Sequence, residues 1–327
     1  MERASARVAR LASQVSGQSP PAGTTAEDMV RAEACFRSEE FHQQCYSFDP
    51  GRLLLNQVAL ITGAGQGVGK CTALLFASHG ARVVCCDIEG DKAQATADFI
   101  RNANGVATAL TGDVTDPAFP ARAVALAVKE YGGLHILVNN AGFTWDGVIH
   151  TMPEAQWQTM LQVHLTAPFR LIQAAATAMR GAAKEELGRT GRAHPRVVLN
   201  VSSVSGTHGS AGQTNYAAAK AGVVGLTKAL AREWGAFNIR CNALVFGYIN
   251  TRLVQSKDSG NTIEAGGHVV KLGIPGAKAA AEFAQKSIAL GRVGAAEEAA
   301  GAMLMLASPY SSYISGQAIE VTGGGWL

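Results

Sequence analysis

The apolar run Val58-Ala59-Leu60-Ile61-Thr62 leads directly into Gly63-Ala64-Gly65-Gln66-Gly67-Val68-Gly69, and a helix-forming stretch follows from Gly69 to His79. A strand that passes through clustered glycines into a helix leaves few folds open. The glycines let the backbone turn sharply and approach a ligand closely, and the unpaired N–H groups of the helix start attract a phosphate. A plain strand–helix turn with redundant glycines is the alternative.

The rest of the chain repeats the alternation. Strands are predicted at Arg82–Asp87, Val106–Leu110, Leu134–Asn139, Arg196–Val201, Ile239–Leu244 and Gln317–Val321. Helices are predicted at Lys92–Asn102, Ala121–Tyr131, Glu154–Arg180 and Tyr216–Trp234. The strands are largely unbroken Val/Ile/Leu runs, as expected where helices cover both faces of a parallel sheet. The predicted fold class is therefore α/β, a doubly wound parallel sheet (Rossmann fold) in a single domain over residues 53–327, preceded by an N-terminal helical extension over 1–52.

That extension has its own character. Arg3, Arg7 and Arg10 share a helical face, Glu2 is the only acid before Glu27, and serines are frequent. A mitochondrial transit peptide fits this pattern, giving a matrix location, and a disordered basic tail on a cytoplasmic protein is the alternative. Ser16 to Thr25 reads as a linker, and Thr25-Ala26-Glu27-Asp28 as the start of a polar helix running to about Phe48.

Composition removes several function classes. A formal charge of +3 on 327 residues, with scattered basic residues, gives no nucleic-acid groove. No run of 18 apolar residues is present, so no membrane span is expected. The six cysteines form no C-x-x-C pair and have no accompanying histidine cluster, so reduced thiols are expected and no metal site.

Chemistry is suggested by Asn215-Tyr216-Ala217-Ala218-Ala219-Lys220. On a helix, Tyr216 and Lys220 share a face with Cβ atoms roughly 5–6 Å apart. A cation about 4 Å from a phenol at an effective dielectric near 20 stabilises the phenolate by ~4 kcal/mol, about three pKa units. That would bring Tyr216 into the range of a general acid/base. A surface Tyr with a solvated Lys is the bland alternative. Asp87, at a strand end 24 positions after Gly63, suits the ribose hydroxyls of a dinucleotide and would repel a 2′-phosphate. Gln66 stands where an Arg would meet that phosphate, so NAD is expected over NADP.

Together these residues resemble the short-chain dehydrogenase/reductase family. The resemblance rests on Gly63-x-x-x-Gly67-x-Gly69, on Asn139-Asn140-Ala141-Gly142, on Ser203 thirteen positions before Tyr216, and on Asp113-Val114. Gly212-Gln213-Thr214-Asn215-Tyr216 and the ending Val321-Thr322-Gly323-Gly324-Gly325 are closest to its 3-oxoacyl-acyl-carrier-protein reductase branch. The resemblance implies Ser203, Tyr216 and Lys220 as catalytic residues. It implies cofactor contacts from Gly63, Gly65, Gln66, Gly67, Val68, Gly69, Asp87, Asp113, Val114, Asn140, Ala141, Gly142, Tyr216, Lys220, Gly247, Ile249 and Thr251. Asn139 is expected to shape the cofactor cleft.

Two positions depart from the family pattern. His164 stands where the family has an Asn that holds a proton-relay water; His can donate and accept, but titrates near neutral pH. A relay role and a packed helix histidine are both open. Phe246 replaces a turn proline, which leaves that loop less rigid. Residues 252–291, with repeated glycines, read as a substrate lid. Lys257, Lys271 and Lys278 are candidates to meet an acidic carrier protein. The resemblance thus implies hydride transfer between NAD(H) and a secondary alcohol or ketone, with a 3-oxoacyl thioester, on an acyl carrier protein or CoA, as one candidate. A polyol, steroid, quinone or other carbonyl, or a non-catalytic NAD-binding scaffold, are the alternatives. A homo-oligomer, dimer or tetramer, paired through Ala217 to Gly225, is also expected.

Overall fold

The computed structural model of the chain describes residues 49–255, 260–265, 267–273, 282 and 286–325. The arginine face, the linker and the helix expected to run to Phe48 lie outside the described residues, as do Lys257, Ser259, Gly266, Ile274, Pro275, Gly276 and Lys278 of the expected lid. The chain divides into Met1–Pro50 and Gly51–Leu327, and the second unit holds the sheet.

That unit runs β1 (Val58–Thr62), α1 (Gly67–Ser78), β2 (Arg82–Asp87), α2 (Gly90–Asn102), β3 (Val106–Thr111), α3 (Phe119–Tyr131) and β4 (Ile136–Asn139). It continues with α4 (Glu154–Leu161), a π-helical turn (Gln162–Thr166), α5 (Ala167–Ala176), a second π turn (Thr177–Gly181) and α6 (Ala182–Thr190). Then come β5 (Arg196–Ser203), the short α7 (Val204–Thr207), α8 (Thr214–Trp234) and β6 (Ile239–Phe246). A hairpin of β7 (Thr262–Ala265) and β8 (His268–Lys271), then α9 (Ala296–Ala307) and β9 (Ala318–Val321), complete it.

Seven strands form one parallel sheet in the order β3-β2-β1-β4-β5-β6-β9. The doubly wound sheet expected from the sequence is present. Its chain path reverses between β1 and β4, and ligands bind such sheets in the crevice that this reversal opens at the strand ends.

Burial explains why the strands read as continuous apolar runs. All five residues of β1 and all eight of β6 are buried. One sheet face is covered by Ala73 and Phe76 of α1, Ala97 and Ile100 of α2, and Met303 and Leu306 of α9. The other is covered by Ala123 and Ala127 of α3, Leu171 and Ile172 of α5, and Leu230 and Trp234 of α8. Burying each large apolar side chain contributes roughly 1.5–3 kcal/mol. Local signals set the helix ends. Pro120 sits in the first turn of α3, where its missing N–H costs nothing, and Gly132 stops the helix at φ 82°.

Three elements were not anticipated. In α9, Glu298 accepts the N–H of Ala295 at 2.8 Å and pairs with Arg292, so the helix start is fixed by a side chain three residues in. The β7–β8 hairpin sits inside the expected lid. Val270 and Leu272 pack with Phe143, Met160 and Val163, and Tyr216 and Ile263 border that cluster. The predicted helix Glu154–Arg180 extends to Thr190 and is broken by the two π turns. Single-turn π segments cluster at functional sites, and the first of these carries His164.

Candidate active site

A cavity of about 960 Å³ opens at the carboxyl ends of β1, β2, β4, β5 and β6. Every site residue expected from the sequence lines it except Gly65 and Asn139. Gly65 lies directly behind. Its N–H donates to Asp87 Oδ2 at 2.8 Å, and a Cβ there would stand 2.7 Å from Lys92 Cβ.

The glycine loop is shaped for close approach. Gly63 and Gly67 have φ of 66° and 54°. A Cβ on Gly69 would lie 2.0 Å from the Gly63 carbonyl oxygen and 2.5 Å from Asn140 Nδ2. Both neighbours are fixed, because Asn140 Nδ2 donates to the Thr62 and Gly63 carbonyls. Gly69→Ala is therefore expected to cost about 3 kcal/mol through overpacking. Thermal unfolding of the variant, with dinucleotide titration alongside, checks this; an unchanged melting temperature would contradict the geometry.

Asp87, 7% exposed, accepts N–H groups from Gly65 and from Glu89 (3.0 Å). Asp113 Oδ1 caps the turn after β3 by accepting the Thr115 N–H at 2.8 Å. Asn139 takes a different place from the one expected. Its amide donates to Asn200 Oδ1 at 2.8 Å, and Asn200 donates on to Thr227 Oγ1 at 2.9 Å. It points into a buried polar ladder that locks β4, β5 and α8 together, while Asn140 faces the cleft.

The ladder is one of several ties that place α8. Ser202 Oγ donates to the Lys220 carbonyl at 2.8 Å, and Asn215, fully buried, donates to the Trp145 carbonyl at 3.1 Å. Gly206 has no room for a Cβ, which would sit 2.7 Å from the Ala221 nitrogen. So α8 presents Tyr216 and Lys220 to the end of β5, where Ser203 ends the strand. The Ser203 hydroxyl is hydrogen-bonded to the Tyr216 phenol. Lys220 Nζ donates to the Val201 carbonyl at 2.7 Å and lies 5.5 Å from the centre of the Tyr216 ring.

The expected depression of the Tyr216 pKa is not found. Burial pushes the phenol up to about 12, against the Ser203 hydrogen bond. Burial also pulls the Lys220 ammonium down to about 7. The cost of desolvating the charged forms exceeds the attraction between phenolate and ammonium. An ammonium that is half-neutral near pH 7 also stabilises a phenolate less than a full cation does.

His164 departs from expectation as well. It is 2% exposed, and its ring meets the Tyr216 ring edge-on with centroids 4.9 Å apart. Burial, with Lys220 adding to it, holds its pKa well below the usual imidazole range, so it does not titrate near neutrality. The Phe143 carbonyl lies 2.7 Å from Nε2 and can only accept, which puts the ring proton on Nε2. Nδ1 is left as a buried lone pair with no hydrogen bond among the described residues. Gly142 makes room for the ring; a Cβ there would be 2.3 Å from His164 Cε1.

Phe246, the last residue of β6, is buried at the cavity wall. The loop beyond it is held without proline. Gly247 N–H bonds to the Val321 carbonyl at 3.2 Å, and Ile249 bridges Gly294.

The family model for short chain dehydrogenases matches residues 57–262. The 3-oxoacyl-[acyl-carrier-protein] reductase of Vibrio cholerae is 37% identical over 275 residues, covering 84% of this chain and 99% of the relative. Those of Thermotoga maritima and Escherichia coli are 37% and 35% identical over 271 residues, covering 83% of this chain and 98% of each relative. The chain belongs to the short-chain dehydrogenase family.

The dehydrogenase is thus an oxidoreductase of CH–OH and keto groups that uses a nicotinamide cofactor. Its residues fit such a group. The glycine cradle, Asp87, and the Gly67 backbone in touching distance of Thr251 Cγ2 (3.4 Å from an added Cβ) form a narrow bed for a dinucleotide. When bound, the nicotinamide supplies or accepts the hydride. Several residues of the dehydrogenase's site had no role assigned from the sequence. The Val201 carbonyl that holds Lys220 is legible only from the fold. Gln213, donating to Asp146 at 3.0 Å and accepting from Ser205 at 2.8 Å, edges the substrate side. Arg252, beside Thr251, reaches across to Glu89 at 3.0 Å. Among the described residues, no group of three His, Cys, Asp or Glu side chains is placed to hold a metal, and no helix is long and apolar enough to cross a membrane.

Proposed function

We propose that the dehydrogenase reduces a 3-oxoacyl thioester, carried on an acyl carrier protein or CoA, to the 3-hydroxyacyl thioester with NADH. The observation that carries this reading is the convergence of Ser203, Tyr216 and Lys220 in one cavity with the glycine loop and Asp87. The relatives, named as 3-oxoacyl reductases, support the substrate class.

The chain's own groups divide the work. Ser203 and Tyr216 hold the keto oxygen, and Ser203 stabilises the negative charge that develops on it. Tyr216, a full phenol at neutral pH, gives that oxygen its proton as the hydride reaches carbon. Lys220, held by the Val201 carbonyl, returns a proton to Tyr216 and holds the nicotinamide ribose. His164, a neutral acceptor through Nδ1, holds the proton path behind Lys220. Ile263 and Glu264 of the hairpin line the cavity and form the inner wall of the substrate lid.

Oxidation of NADH with short 3-oxoacyl thioesters, diketones and quinones, measured side by side, tests the substrate. Turnover with the thioesters is expected; NADH binding with no turnover on any of them would instead favour a scaffold. His164 has a sharper test. His164→Leu removes the acceptor and should lower kcat by about 10–100-fold, whereas His164→Asn restores an acceptor and should recover most of it. Equal losses in both would make His164 a packing residue only.

The exposed small residues Ala218, Ala221 and Gly225 of α8 leave a face for close helix approach, which suits a homo-oligomer. A light-scattering mass above one chain is expected, and a monomeric mass would refute the pairing.

A further inference from the structure

At the adenosine end of the cavity, four side chains form a closed network. Glu89 Oε1 accepts from Gln66 Nε2 at 2.8 Å and from Arg252 at 3.0 Å, and Glu89 Oε2 pairs with Lys92. Lys92 Nζ also reaches Gln66 Oε1 at 3.4 Å. Gln66, Asp87 and Arg252 line the cavity itself. The Glu89 backbone is pinned to the ribose end, because its N–H donates to Asp87 Oδ1.

A guanidinium, an ammonium and an amide N–H converging on one anion form the donor set of a phosphate site. Here the anion comes from the chain itself. Asp87, by contrast, has both oxygens on backbone N–H groups, those of Gly65 and Glu89. Resting on the dinucleotide reading of the site, we infer that Glu89 is the residue that sets NAD(H) over NADP(H). Its carboxylate fills the position that a 2′-phosphate would take between Arg252, Lys92 and Gln66. A 2′-phosphate must displace Glu89 and then lie beside two carboxylates. A free 2′-hydroxyl faces neither cost.

Removing the Glu89 charge leaves the two cations for the phosphate. The test is calorimetric titration of the full chain with NAD+ and with NADP+, for wild type, Glu89→Gln and Glu89→Gln/Arg252→Leu. Glu89→Gln should tighten NADP+ by about tenfold, as expected for one charge removed at short range near a protein surface, and change NAD+ by less than about threefold. The double variant should lose most of the NADP+ gain, because the gain depends on the released guanidinium. An unchanged NADP+/NAD+ ratio in Glu89→Gln, or a wild type that already prefers NADP+, would overturn the role of Glu89. A wild type that binds neither dinucleotide would overturn the cofactor reading beneath it.

Discussion

Tyr216→Phe should lower kcat for carbonyl reduction by about 10³-fold while leaving NADH affinity within about twofold. The substitution deletes one hydroxyl and keeps the ring that packs edge-on against His164 and borders the Phe143, Met160 and Val163 cluster. Folding should therefore be preserved. What disappears is the proton donor. The phenol, pushed up to about 12 by burial, is protonated across the neutral range, so it is already in the form that reduction needs. Oxidation of the alcohol needs the phenolate, so the oxidative rate of the wild type should rise steeply with pH while the reductive rate does not. Steady-state kinetics in both directions, with NADH binding followed by fluorescence, check both parts.

Lys220→Met should act in opposite directions on activity and stability. Activity should fall by about 10²-fold, since the proton path to Tyr216 and the ribose contact are both removed. Stability follows from the sign of the lysine's shift. Burial lowers its pKa from 10.5 unfolded to about 7 folded. Between those values the unfolded chain binds the extra proton, so folding becomes more favourable as pH rises from about 7 to 10.5. The penalty is full below pH 7 and gone above 10.5. Methionine has no such penalty, but it leaves the Val201 carbonyl unpaired, which costs roughly 1–3 kcal/mol. The variant's advantage over wild type should be largest near pH 7 and should shrink or reverse by pH 10. Denaturant unfolding at a series of pH values reads this directly; a difference that does not vary with pH would show that Lys220 is not desolvated.

The parts of this molecule legible in its sequence are those in which local pattern and tertiary role coincide. Buried strands read as apolar runs because helices cover both sheet faces, and β1 and β2 fall at the expected residues. The glycine loop was legible because a Cβ at Gly69 has nowhere to go. The β7–β8 hairpin has a signature in the sequence as well, Thr262-Ile263-Glu264-Ala265 and His268-Val269-Val270-Lys271 on either side of Gly266-Gly267, but the many other glycines of residues 252–291 mask it. The tie from Asn139 through Asn200 to Thr227 was not legible, because it joins two strands and a helix far apart in sequence. The protonation states of Tyr216, Lys220 and His164 were beyond the sequence. Spacing gives the attraction between two charges, whereas burial, which here outweighs it, belongs to the assembled fold.

Transfer of a label tests the central claim most directly. NADH carrying deuterium at C4 of the nicotinamide, incubated with the dehydrogenase and a short 3-oxoacyl thioester, should give a 3-hydroxyacyl thioester with one deuterium at C3, and Tyr216→Phe should give almost none. Bound NADH with no deuterium delivered to the thioester by the wild-type protein would contradict the account.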